Sequence, residues 1–150
     1  MSQRVDERDP TLTELDCYNK ILKLTDHVMH VCKPKDKNVN DKHIPKKNVG
    51  LGRILMDETI TIGADIIEAN MINVRRNLQW EVLIQNYAER RKLQEHAIRL
   101  TYRVEHIFRV LHFDKPFAES TNRYMMELLT ETRNLLMAWR ESDIKQAKRL

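Results

Sequence analysis

Residues 78–112 read LQWEVLIQNYAERRKLQEHAIRLTYRVEHIFRVLH, a stretch without a Gly or a Pro. At 100° per residue, Leu83, Tyr87, Leu93, Ala97, Leu100, Val104, Ile107, Phe108 and Leu111 gather on one side, the period of a helix with a core-facing stripe. On the opposite side, Lys92, His96, Arg99, Arg103 and His106 fall within roughly 80° of one another. A helix this long cannot bury its apolar face alone, so the rest of the chain must supply partners for it.

The flanking sequence supplies three more amphipathic segments, separated by the Pro-containing stretches. The first begins near Thr11 or Thr13, either of which caps a helix, and runs to Cys32 before Pro34. Its predicted inner arc, about 140° wide, holds Leu15, Tyr18, Ile21, Leu22, Thr25, Val28, Met29 and Cys32. The second runs from Pro45 or Lys46 to Met71 and has two apolar faces. Leu51, Leu55, Ile62, Ile66 and Ala69 form one; Met56, Ile60, Ala64, Ile67 and Met71 form the other. A second face implies either contact with another subunit or deep burial within one chain. Beyond Pro116, Ser120 is placed to cap a fourth helix with Tyr124, Leu128, Leu135 and Trp139 inward. The economical fold is all-α, an antiparallel up-down four-helix bundle: one domain over residues 1–150 with its core at 11–141 and frayed ends at 1–10 and 142–150.

Composition narrows the function classes. With 26 Lys+Arg against 22 Asp+Glu, a net charge of +4 and a pI near 9.1, the chain fits neither a polyelectrolyte tail nor a histone-like arm. Three Gly among 150 residues are too few for an all-β protein or a Gly-rich phosphate loop. No apolar run approaches the ~20 residues needed to span a bilayer, and the opening MSQRVDERDP has no apolar core for a signal peptide. Cys17 and Cys32 lie about four turns apart in one predicted helix, too far to pair there, which points to a reducing cytoplasm.

The modest net charge conceals a strong alternation. Residues 54–74 carry four acids and no base, whereas residues 75–115 carry nine bases against five acids. Basic side chains one turn apart suit a phosphate backbone, which they follow without reading sequence. The candidate nucleic-acid residues are Arg75, Arg76, Arg90, Arg91, Lys92, Arg99 and Arg103. The candidate oligomer interface is the second face of the second helix.

Catalytic constellations are not evident. His27 and His30 share a helix face but lack a third metal ligand. Glu58 and Asp65 share a face and could begin a carboxylate cluster, yet the inward Glu-x-x-His pairs of a di-metal bundle are missing. Neither cysteine has a His in helical register to activate it. The sequence therefore predicts no catalytic residue, no metal and no cofactor.

Four pieces in order resemble the accessory variability determinant (Avd) proteins of diversity-generating retroelements, within the wider four-helix-bundle family that includes the 23S rRNA intervening-sequence proteins. They are Tyr18 with its apolar repeat; Ile44-Pro45-Lys46-Lys47-Asn48-Val49-Gly50-Leu51-Gly52-Arg53-Ile54; Arg91-Lys92-Leu93-Gln94-Glu95 leading to Phe108-Arg109-Val110-Leu111; and Phe117 and Ser120 followed by Tyr124, Leu128, Leu135-Leu136 and Trp139. The resemblance spans about residues 15–140. It implies a non-catalytic homopentamer that binds template RNA or cDNA and a reverse transcriptase and supports mutagenic cDNA synthesis. The alternatives are a protein–protein adaptor, an rRNA-associated bundle without a reverse transcriptase, and a bundle enzyme with an unrecognised metal site.

Overall fold

A computed structural model describes residues 12–33 and 44–150, and among these residues the chain is helical with no strand. Helix α1 spans Asp16–Val31, α2 Val49–Met71, α3 Trp80–Asp114 and α4 Glu119–Lys148. Short 3-10 turns at Leu12–Glu14 and Lys46–Asn48 lead into α1 and α2. Helices α1 and α3 each pack against both α2 and α4, so the four enclose one core as a helical bundle.

That core is aliphatic and closely filled. Ile21, Leu24 and Val28 from α1 meet Leu55, Ile62 and Ile66 from α2, Ala97, Val104 and Phe108 from α3, and Met125, Leu129 and Leu136 from α4. Each large side chain removed from water contributes about 1.5–3 kcal/mol relative to exposure. Where α2 passes the segment before it, Gly52 is buried against Ile44 and Cys32, and a Cβ at this position would collide with Ile44 Cδ1.

Several boundaries and faces differ from the expected ones. Thr11 lies outside the described residues, and α1 begins at Asp16 with Leu15 at the N-cap position and no side-chain cap. The buried arc of α1 holds Cys17, Ile21, Leu24, Val28 and Val31, while Leu22 and Met29 stand half exposed. This is about a quarter turn from the expected arc. Apolar residues cover about 200° of α1, a wider arc than the helix buries, and on its α4 side Lys20 pairs with Glu131 at 2.5 Å and His27 bonds the Thr121 carbonyl at 3.1 Å. Tyr124, expected inward, is exposed and meets His27 edge-on with ring centroids 4.7 Å apart.

The α3–α4 reversal is tied by its own residues. The Lys115 N–H reaches the Leu111 carbonyl, the Phe117 N–H donates to His112 Nδ1 at 3.0 Å, and the rings of Phe108 and Phe117 stack at 4.9 Å. Ser120 lies inside α4, which starts at Glu119 with Ala118 as its flanking residue. The expected fraying of 142–150 is not found, because α4 stays helical to Lys148 and buries Asp143. Residues 1–10 lie outside the described residues.

Candidate nucleic-acid interface

Three consecutive bases of α3, Arg90, Arg91 and Lys92, are sent in three directions by the 100° step of the helix. Arg90 is buried, with 1% of its surface exposed. Its Nε and Nη2 donate to the two carboxylate oxygens of Asp143 at 2.7 and 2.8 Å, Gln94 Nε2 donates to the same carboxylate at 2.8 Å, and the guanidinium lies 5.1 Å from the centre of the Trp139 ring. A two-pronged pair of this kind is satisfied internally. Arg90 is therefore removed from the candidate nucleic-acid residues: it pins α3 to α4. Arg91 is exposed, pairs with Glu95 one turn on at 3.0 Å, and borders a cavity shared with α4.

Lys92 belongs to a different side of the helix, the side facing α2. There the acids of α2 meet the bases of α3. Arg103 Nη2 pairs with Glu58 Oε1 at 2.6 Å, and His96 Nδ1 with Asp65 Oδ2 at 2.5 Å. Glu58 and Asp65, which share a face of α2, are thus distributed to two separate partners. Burial raises the Asp65 carboxyl above its ordinary value, and the His96 hydrogen bond works against that rise. Arg99 between these pairs and Lys92 one turn before His96 remain exposed and close no salt bridge with a described residue, although the Arg99 charge helps to hold the Asp65 carboxyl down. The basic stripe consequently runs along the α2–α3 seam rather than opposite the core, with its α2 flank acidic.

Arg75 and Arg76 are exposed in the bend between α2 and α3. Asn73 shapes that bend: its Oδ1 accepts from the Arg75 N–H at 2.9 Å and its carbonyl accepts from Asn86 Nδ2 at 2.7 Å. The predicted seven-residue basic set therefore falls into four parts: buried Arg90, the exposed pair Arg75 and Arg76 in the bend, Arg91 beside α4, and the line Lys92, Arg99 and Arg103 on the α2 side.

The second face of α2 is open. Ile60 and Met71 are 52% and 77% exposed, Ala64 and Ile67 are also exposed, and only Met56 is half buried. These positions sit opposite Leu55, Ile62, Ile66 and Ala69, which are buried. Burial within the single chain, one of the two readings of this face, does not occur.

One charged cluster went unnoticed in the sequence. Arg133 of α4 pairs with Glu105 at 3.1 Å, donates to Thr101 Oγ1 at 3.0 Å and covers the Tyr102 ring at 3.7 Å, while Arg109 reaches the same Glu105 at 3.3 Å. Burial alone would raise the Glu105 carboxyl, but Arg133 and Arg109 together outweigh it and hold it below its ordinary value. Only the spacing Arg109–Glu105 is visible in sequence; its partner on α4 is a matter of tertiary register.

Elsewhere the nucleophiles are quiet. Burial pushes the Cys17 thiol up to about 11 and that of Cys32 to about 12, away from thiolate chemistry. His30 Nδ1 bonds the Asp26 carbonyl at 2.8 Å. No group of three or more His, Cys, Asp or Glu among the described residues is placed to hold a metal, and no described helix is long and apolar enough to cross a membrane. No family profile, curated protein or solved structure matches this chain.

Proposed function

We propose that the chain is a non-catalytic, cytoplasmic accessory protein that binds nucleic acid along the α2–α3 seam and self-associates through the open face of α2. The fold in this reading is an antiparallel up-down bundle. Cross-helix pairs support that sense: Glu58 pairs with Arg103 and Asp65 with His96, so the numbering rises on one helix as it falls on the other. By its resemblance to the Avd proteins, the assembly is a homopentamer whose partners are a reverse transcriptase and its template RNA or cDNA.

The observation that carries the reading is the pair of exposed cations Lys92 and Arg99, two turns apart, neither of which closes a salt bridge with a described residue, although Asp65 feels the charge of Arg99. Repeated around a ring, such a line multiplies weak phosphate contacts into useful affinity. The test measures binding of a 20-nucleotide RNA at several salt concentrations, together with solution mass by light scattering. Expected are a mass near five chains of 17.9 kDa and salt-sensitive binding. A monomer indifferent to RNA sinks the proposal.

A second reading has its own support. Glu58 and Asp65 occupy Arg103 and His96, which lowers the positive potential of the seam and favours a protein–protein adaptor. That reading predicts an oligomer or complex with no salt-sensitive RNA binding.

A further inference from the structure

On the far side of α3 from the basic seam, a cavity of about 310 Å³ lies between α3 and α4. Its walls are apolar. Ile84 and Ala88 stand one turn apart on α3, facing Ile144 and Ala147 on α4, and the rims are Arg91 on one helix and Lys148 on the other. Ile84 is 41% exposed, and the exposed Trp80 extends the same line of α3 by one more turn. Among the described residues that border the cavity, the one carboxylate, Asp143, is already committed to Arg90 and Gln94.

From these features the geometry points to a docking groove for an acidic amphipathic helix of another protein. Two alanines opposite each other lower both walls, so that a third helix approaches closely enough for ridge-into-groove packing. The open length, about two turns of α3, accepts two or three apolar side chains spaced one turn apart, the pattern of helix-in-groove recognition. Lys148 and Arg91, the latter held to Glu95 by an exposed pair that a guest can compete for, border the groove from opposite helices, so a guest carrying Glu on both flanks is favoured and one carrying Lys is opposed. A single-stranded nucleic acid fits less well. Stacking needs several open aromatic faces along the path, and Tyr87 is the one aromatic among the described lining residues, with Trp80 beyond the end of the groove.

The experiment uses the full chain and three labelled 14-residue peptides, read by fluorescence anisotropy. One has Leu at helical spacing with Glu on both flanks; the second is its scrambled isomer; the third carries Lys in place of Glu. The Glu peptide is expected to bind at least about tenfold more tightly than either control. Ala88→Gln and Ala147→Gln, each placing a long polar side chain in the floor, are expected to weaken it about tenfold. Arg91→Glu with Lys148→Glu should invert the preference toward the Lys peptide. Circular dichroism must show the variants helical, and Ala88→Gln must bind RNA as the unaltered chain does, so that failure of the groove is separable from failure of the seam. Equal binding of the Glu and scrambled peptides, or an unchanged affinity in Ala88→Gln, overturns the proposal. So does displacement of the Glu peptide by RNA at concentrations that saturate the seam, which would give the groove to nucleic acid.

Discussion

Helix α3 meets its two neighbours in opposite ways. Toward α4 it sends Arg90 into the interior, where the Asp143 carboxylate accepts from it and from Gln94, and Trp139 lies alongside the guanidinium. Toward α2 it keeps its charges at the surface, with side chains 66% exposed at Arg103 and 45% at His96, each resting on a largely covered carboxylate. The difference teaches that one basic stretch serves two purposes. A desolvated charge has to be matched in full and then fixes how two helices sit together. A charge left in water is matched loosely and stays available to a ligand.

The sharpest break in this contrast is the removal of one member of the buried pair. Arg90→Ala or Asp143→Ala strands its partner in the interior, and each is expected to cost about 3–5 kcal/mol in urea unfolding. Replacing both together, Arg90→Met with Asp143→Leu, should recover most of that loss, since well-packed apolar groups replace buried ion pairs at little cost. A single substitution costing less than about 1 kcal/mol would mean that the two seams are energetically alike.

Acid titration separates the seams by sign. Glu105, held below its ordinary value by Arg133 and Arg109, binds protons less readily folded than unfolded. Its contribution is present above the ordinary carboxylate value and is lost as pH falls through the folded one. Asp65, raised by burial, behaves oppositely, its contribution being full below the ordinary value and lost as pH rises through the folded one. Between pH 7 and pH 3.5, Glu105→Gln should therefore lose less stability than the unaltered chain and Asp65→Asn should lose more. Shifts of the same sign in both variants would contradict the assignment.

At the α2–α3 surface the effects shrink. Arg103→Ala, which releases Glu58, is expected to cost less than about 1 kcal/mol, and added salt should narrow the gap further. A loss as large as that of Arg90→Ala would show that Glu58, whose Oε2 is buried without a hydrogen-bond partner, depends on Arg103 far more than an exposed pair does.

Periodicity made the helices legible because four long segments without interior Pro leave little choice of element. The 23 residues of α2 and the 35 of α3 begin and end within a few residues of where the pattern places them. The second apolar face of α2 was legible for the same reason, since its apolar residues outnumber what one bundle stripe holds, but the pattern suited burial within the chain as well as exposure. Arg90 was not. A charged side chain is read as exposed unless its partner is known, and Asp143 is 53 residues away in a segment whose composition resembles a frayed end. The angle of α1 was lost likewise, because its apolar arc is wider than the face it buries and its contacts with α4, at Lys20 and His27, do not show in the linear pattern. What a linear pattern misses here is the pairing between helices, which decides both burial of charge and direction of face.

The smallest expected effect on folding is the one that bears most on function. Lys92 and Arg99 are exposed and bond to no described acid, so Lys92→Ala with Arg99→Ala should change unfolding free energy by no more than about 0.5 kcal/mol. If the seam holds a phosphate backbone, the same pair of changes weakens RNA binding roughly equally across sequences and lowers the slope of log affinity against log salt by about one per lost contact. Ala88→Gln in the α3–α4 groove serves as the matched control, since it alters the same helix on its other side. Equal loss of RNA binding in both would mean that the two sides of α3 are not functionally separate, whereas loss confined to the lysine–arginine pair ties nucleic-acid binding to the side where charge stays in water.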